Sequence, residues 1–263
     1  MAPVRQLPGE TSPLAAAARL PLRALDDLPL APVLVVAPHP DDETLGCGGA
    51  IAQLRAQGYP VQVLVISDGA RSHPRSQRYP APRLQELRAS ETLAALTLLQ
   101  VEADCVTFLG LPDGAVPAPD PAWFQAPAQA SPVAQAAVEQ CRAYLRRVLP
   151  QTIFLPYQHD PHRDHRASWG LMQAALAELP VPPRQIEYPI WDWDPHQRQP
   201  LGAGYRAWRL NIAPQVALKR QAIHCYRSQT TDLIDDDPTG FRLSPELIAN
   251  FLNPWEIYFE YRP

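Results

Sequence analysis

The chain has 263 residues with 46% hydrophobic content, enough for one large domain or two small ones with a real core. A formal net charge of −4 and a pI near 6.0 leave no electrostatic case for a nucleic-acid or anionic-membrane partner. No run of about 18 apolar residues occurs, which excludes a membrane-spanning helix, and four scattered cysteines without a CxxC fit a reducing cytoplasm better than a disulfide framework.

Residues 1–31 are rich in Pro and Ala and are predicted to form an arm over the body. Their apolar stretch at 14–20 is too short and interrupted for a signal segment. Val33–Ala37 is a continuous apolar run, the pattern of a buried parallel strand, and it leads straight into His39, Asp41, Asp42 and Glu43. A helix is predicted over 44–57, closed by Gly58. A second strand over 59–66, a helix over 83–99 and a third strand over 104–109 follow. Ser131 and Pro132 mark the start of a helix running to about 149. A short strand at 152–155 opens into a second polar knot holding His159, Asp160, His162, Asp164 and His165, and a helix is expected from 166 to 178. Strand-like segments at 185–191 and 206–212, a helix over 214–226, an acidic turn at 235–237, a short helix after Pro245 and a β-rich end at 256–261 complete the chain. The 32 prolines fall between periodic segments, so they indicate stiff loops.

Strand and helix alternate four times in the first 180 residues. This predicts a three-layer α/β/α fold, Rossmann-like, with a mainly parallel sheet and a C-terminal extension from about 186. Residues 32–263 are read as one domain. The segments 39–43, 67–71, 110–114 and 158–165 each follow a strand, so they share the carboxyl edge of the sheet, where open α/β folds build their sites.

Two histidine clusters at one sheet edge invite a metal. His39, Asp42 and His165 offer two imidazoles and a carboxylate, a set that suits catalytic zinc and could equally hold iron or manganese. Asp41 lies beside them, placed to take a proton from a water. His162 could polarise a carbonyl oxygen or protonate a leaving amine. Asp160 or Asp164 could orient a histidine. Capping of the following helix is the plain alternative for Asp41 and Asp42. Arg88 and Glu91, three apart on one helix, read equally as an ordinary surface pair or as a buried pair supporting the site floor. Tyr188, Trp191 and Trp193 read as core or rim packing, with stacking on a sugar ring as the alternative. Asp235–Asp237 reads as a solvated turn, Cys47 as a buried small residue, and Glu43 as a brace for the loop amides.

The run from Ala37 to Glu43, with His162-Arg-Asp-His165 about 120 residues later, resembles the LmbE-like, or PIG-L, family of zinc-dependent N-acetyl deacetylases. The likeness extends to Ser67-Asp-Gly69, Arg88, Glu91, Gly110-Leu-Pro-Asp113 and the Lys219…Ser228-Gln229 pattern. It implies His39, Asp42 and His165 as ligands of zinc or another divalent metal, Asp41 as general base and His162 as oxyanion donor supported by Asp164. It also implies Arg71 and Asp113 as substrate contacts, on a small-molecule or glycoconjugate substrate of N-acetylglucosamine type. Some relatives carry a tyrosine two residues before the position of His162, where this chain has Asp160. Another acylated small amine as substrate, or a catalytically silent sugar-binding module, are the rival readings. A silent module would need neither Asp41 nor His162.

Overall fold

The computed structural model describes residues 12–25, 31–119 and 131–262. The rest of the predicted arm and most of the 115–130 stretch lie outside the described residues. Eight strands form one sheet: β1 Leu22–Arg23, β2 Val33–Ala37, β3 Val61–Ser67, β4 Val106–Leu111, β5 Thr152–Pro156, β6 Arg184–Tyr188, β7 Tyr205–Asn211 and β8 Trp255–Tyr261. Their order is β1-β7-β8-β6-β5-β2-β3-β4, and β8 alone runs antiparallel to its neighbours. The helices are α1 Asp42–Ala56, α2 Ala81–Leu98, α3 Pro132–Val148, α4 Arg163–Leu176, α5 Val216–Ile223, α6 Arg227–Thr230 and α7 Pro245–Phe251. No described helix is long and apolar enough to cross a membrane.

The three-layer, mainly parallel arrangement agrees with the sequence pattern, and the central strands explain why. Val33, Val35 and Ala37 of β2 face the core shared with α1, α2 and α5, while Leu34 and Val36 face the core shared with α3 and α4. A strand covered on both faces has no polar side, hence the unbroken apolar run. After β4 at one edge the chain returns to place β5 against β2 on the side opposite β3. The sheet order therefore reverses between β2 and β5, and the crevice beyond their carboxyl ends is where such folds bind ligands.

Helix α1, which carries the first polar knot, is buried on nearly every side. Gly46 and Gly49 make this possible: a Cβ on them would meet Tyr188 at 2.2 Å and Ile212 at 2.5 Å. A buried ion pair, Lys219 Nζ to Glu256 Oε1 at 2.7 Å, locks the helix in place. Lys219 also donates to Leu45 O, and Glu256 accepts the Gly49 and Ala50 amides at 2.6 and 2.8 Å.

Several elements depart from expectation. The arm contributes β1, an edge strand parallel to β7. Strand β6 stops at Tyr188, and Trp191–Trp193 form a 3-10 turn, so the aromatics of that segment do not alternate along a strand. The helix expected over 214–226 is a 3-10 turn followed by α5, with α6 beyond it.

Candidate active site

The two polar knots meet at the reversal point between β2 and β5. His39 lies in the loop after β2, while Asp42 opens α1, so Asp42 is in the first turn of a helix. Likewise α4 starts at Arg163, earlier than expected, with His162 as its N-cap and His165 inside its first turn. Asp42 Oδ2 lies 3.2 Å from His39 Nδ1 and 3.2 Å from His165 Nε2, and those two nitrogens are 3.3 Å apart. Three donors bound to zinc at about 2.0–2.1 Å with tetrahedral angles would stand about 3.3 Å from one another. The three atoms thus match three corners of a tetrahedral metal site.

The surroundings complete the fit. Asp160 Oδ2 faces His165 Nδ1 at 3.3 Å, and Asp113 Oδ1 and Asp164 Oδ2 face His39 Nε2 at 3.4 and 3.5 Å. Each imidazole therefore turns one nitrogen to the triangle and the other to a carboxylate, the arrangement that fixes the tautomer of a ligating histidine. Burial works to lower the His165 pKa, but Asp160 and Asp42 overcome it and hold the ring up at about 9. His39 is raised as well, by Asp113, Asp164 and Asp42 against burial. Burial would raise the Asp42 carboxyl, yet His165 and His39 drive it well below the usual carboxylate range. The raised histidines report the negative potential of the surrounding carboxylates, which favours a cation at the triangle. Two other groupings of potential ligands share His39: one with His162 and His165, and one with Asp113 and Asp164 on the opposite edge of its ring.

Asp41 caps α1 without donating or accepting a side-chain capping bond, in a backbone conformation with φ 125° that side chains rarely adopt. Two contacts hold it there. Glu43 Oε2 accepts the Asp41 amide at 3.2 Å, and Arg88 donates to Asp41 Oδ2 at 3.0 Å. Burial raises the Asp41 carboxyl to about 8 against the pull of Arg88. Glu43 is itself bonded to Tyr226 and Thr44 and braces the loop, as its spacing suggested.

His162 sits across the site, its ring centroid 4.9 Å from that of His39 and 5.1 Å from that of His165. Its Nδ1 accepts the Asp164 amide at 3.2 Å, which leaves Nε2 to carry the proton of the neutral ring. Burial lowers the His162 pKa to about 4, with His165 and His39 adding to the effect. The Asp164 side chain does not bond His162; it accepts the amides of Gly114 and Val116 at 2.6 and 3.3 Å, fastening the β4 loop to α4. Asp113 Oδ2 accepts the Arg71 amide at 2.8 Å, so these two are joined through backbone, and the Arg71 side chain is left at the pocket wall.

Neighbouring residues hold these elements together. Arg88 and Glu91 are both buried but are not bonded to each other: Glu91 accepts from Ser228 N and Oγ at 2.7 and 2.6 Å. Asp160 holds the second knot, accepting the His162 amide at 2.8 Å and the Trp191 amide at 3.2 Å as well as facing His165. Asp236 and Asp237 do not form a free solvated turn. They accept the amides of Arg75, Gln77 and Arg78 and tie the C-terminal extension to the loop after β3. His159 is exposed and packs on Tyr157. Tyr188 is buried and donates to Val36 O, a core role.

Comparison with known proteins bears on this arrangement. The model of the PIG-L family, described as GlcNAc-PI de-N-acetylase, matches residues 34–176, more than half the chain. The chain belongs to the PIG-L family. It is an enzyme of this family of metal-dependent hydrolases. No curated protein sequence matches it significantly. Among solved structures, N,N'-diacetylchitobiose deacetylase from Pyrococcus horikoshii is similar at 23% identity and TM-score 0.58, over 76% of this chain and 71% of that one. A deacetylase of teicoplanin biosynthesis is 26% identical with TM-score 0.56, over 75% and 84% of the two chains. The fold also matches 4-carboxy-2-hydroxymuconate hydratase from Pseudomonas putida KT2440, at 21% identity and TM-score 0.54, over 83% and 82%. One fold thus serves different reactions, and the reaction of this chain has to be argued from its side chains.

Proposed function

We propose that this chain hydrolyses the N-acetyl group of an N-acetylglucosamine-type amino sugar or its conjugate, releasing acetate and a free amine, with zinc held by His39, Asp42 and His165. One observation carries the reading: the near-equilateral donor triangle has a buried carboxyl of raised pKa, Asp41, beside it and a neutral imidazole, His162, across from it. Two titratable groups pushed to opposite sides of neutrality mark an acid–base division of labour.

When bound, the ion would polarise the amide carbonyl and make a water more acidic. Asp41 takes a proton from that water as its oxygen adds to the carbonyl carbon. The pull of Arg88 already keeps the Asp41 pKa from rising beyond about 8, and a cation held by Asp42 would lower it further toward the working range. His162 offers Nε2–H to the oxygen that gains charge. Its Nδ1 is occupied by the Asp164 amide, which supports the role of oxyanion donor over that of acid. The proton held by Asp41 then passes to the nitrogen as the C–N bond breaks, so water is divided between acetate and amine. Asp164 supports His162 through its backbone, and Arg71 and Asp113 are read as substrate contacts on the polar side of the pocket. Four free cysteines, two of them buried, support a cytoplasmic setting.

The test is acetate release from a panel of N-acetylated amino sugars and other acetylated amines, with the Asp41→Asn variant alongside. Release by the wild type and its loss in the variant support the reading. No release from any amide, with metal bound, overturns it.

A further inference from the structure

The cavity over the triangle measures about 250 Å³ and has two chemically different sides. Arg71, Ser72, Asp113 and Gln229 form the polar side. The other side is an apolar wall made of Leu45, Ile190, Trp191, Phe241, Leu243 and Leu247; all but Phe241 belong to one packed cluster, and Phe241 meets Trp191. All of the wall except Leu45 comes from beyond residue 176, outside the stretch matched by the family model. It begins at the reacting centre, because the Trp191 ring stacks on His162 at 5.9 Å with 22° between the planes. It continues outward through Phe241, whose ring centroid is 5.5 Å from that of Trp191. The wall is also anchored: the Phe241 amide donates to Ser72 O at 2.6 Å, the Leu243 amide to Gln229 O at 2.8 Å, and Asp237 holds Arg75. A hydroxylated sugar and a single methyl would leave much of this apolar surface uncovered.

We propose that this site takes an amide substrate carrying an apolar group several carbons long, which lies on the wall while the polar part of the substrate meets Arg71 and Asp113. The inference rests on the deacylase reading for its chemistry and names the kind of amide that reading would process. The apolar group has two possible sources, an acyl chain longer than acetyl or a lipophilic group on the amine side. Two substrate series separate them. In one, glucosamine carries acetyl, butanoyl or hexanoyl on nitrogen; in the other, N-acetylglucosamine carries a methyl, butyl or hexyl glycoside.

Burial of each added methylene is expected to raise kcat/KM about fourfold in one series until the wall is covered, and Leu247→Ser and Phe241→Ser should flatten that gain. Calorimetric binding of methyl, butyl and hexyl glucosides to the metal-loaded protein gives a readout that needs no turnover. Affinity should climb with chain length in the wild type and less steeply in the two variants. If no amide is hydrolysed but glucoside affinity still climbs, the deacylase reading fails and the apolar subsite stands. If neither kcat/KM nor affinity depends on chain length, or the variants keep the full dependence, the subsite is overturned.

Discussion

Arg88 holds Asp41 by side chain and by backbone at once: one guanidinium nitrogen donates to the Asp41 carboxylate at 3.0 Å and to the carbonyl of Pro40 at 2.5 Å. The other terminal nitrogen donates to Gly69 O at 3.1 Å. Arg88 thereby joins the loops after β2 and β3 and keeps Asp41, the proposed base, in its uncommon backbone conformation. Replacing it with Met should lower kcat/KM by roughly 100-fold, the scale of a misplaced catalytic group, with metal content retained. Arg88 also lowers the Asp41 pKa. Its loss should therefore move the acidic limb of the kcat/KM profile to higher pH, and a limb that stays in place would contradict this.

Asp41 and His162 are expected to fail differently. Asp41→Asn should bind metal normally and lose turnover at every pH. His162→Ala should also bind metal and lose roughly 100- to 1000-fold in kcat, as expected for one oxyanion donor. Metal analysis beside steady-state rates checks both, and loss of metal in either variant would assign that residue to the ligand set.

The pair Lys219 and Glu256 is expected to matter for stability. Lys219→Met leaves Glu256 as a buried carboxylate with amide and Tyr258 donors but no cation. Such a break costs about 3–5 kcal/mol, measurable by urea unfolding. A loss below about 1 kcal/mol would mean the pair is not closed in solution.

Glu187 predicts a pH dependence away from the metal site. Burial pushes its carboxyl up to about 7, against bonds from the Gln158 amide, Tyr205 and Trp169. The native chain then keeps this proton above the pH of about 4.3 at which an unfolded glutamate releases it. The contribution to stability is full below that value and is lost as pH rises through 7. Glu187→Gln should flatten unfolding free energy across this window. An unchanged slope would contradict the assignment.

Much of this architecture was legible in the sequence because it rests on local patterns. The unbroken run Val33–Ala37 can only be a strand covered on both faces, and the polar segments after successive parallel strands must share an edge. What stayed hidden depends on distant partners. Leu22 and Arg23 show no strand pattern, since two residues gain their pairing from β7. Arg88 and Glu91 read as a pair, whether at the surface or under the site, but each answers a different element, Asp41 and Ser228. Asp236 and Asp237 look solvated until the loop at 75–78 is brought against them. The glycines of α1 have no local reason to be there; Gly46 and Gly49 make room for Tyr188 and Ile212, which arrive from more than 140 residues away.

The most direct test of the metal site is the metal content of purified wild type and of His165→Ala after reconstitution with zinc and removal of excess. The geometry of His39, Asp42 and His165 predicts about one tightly held zinc per wild-type chain and loss of most of it in the variant. A wild type that holds no divalent metal, or a variant that holds as much as the wild type, would contradict the account.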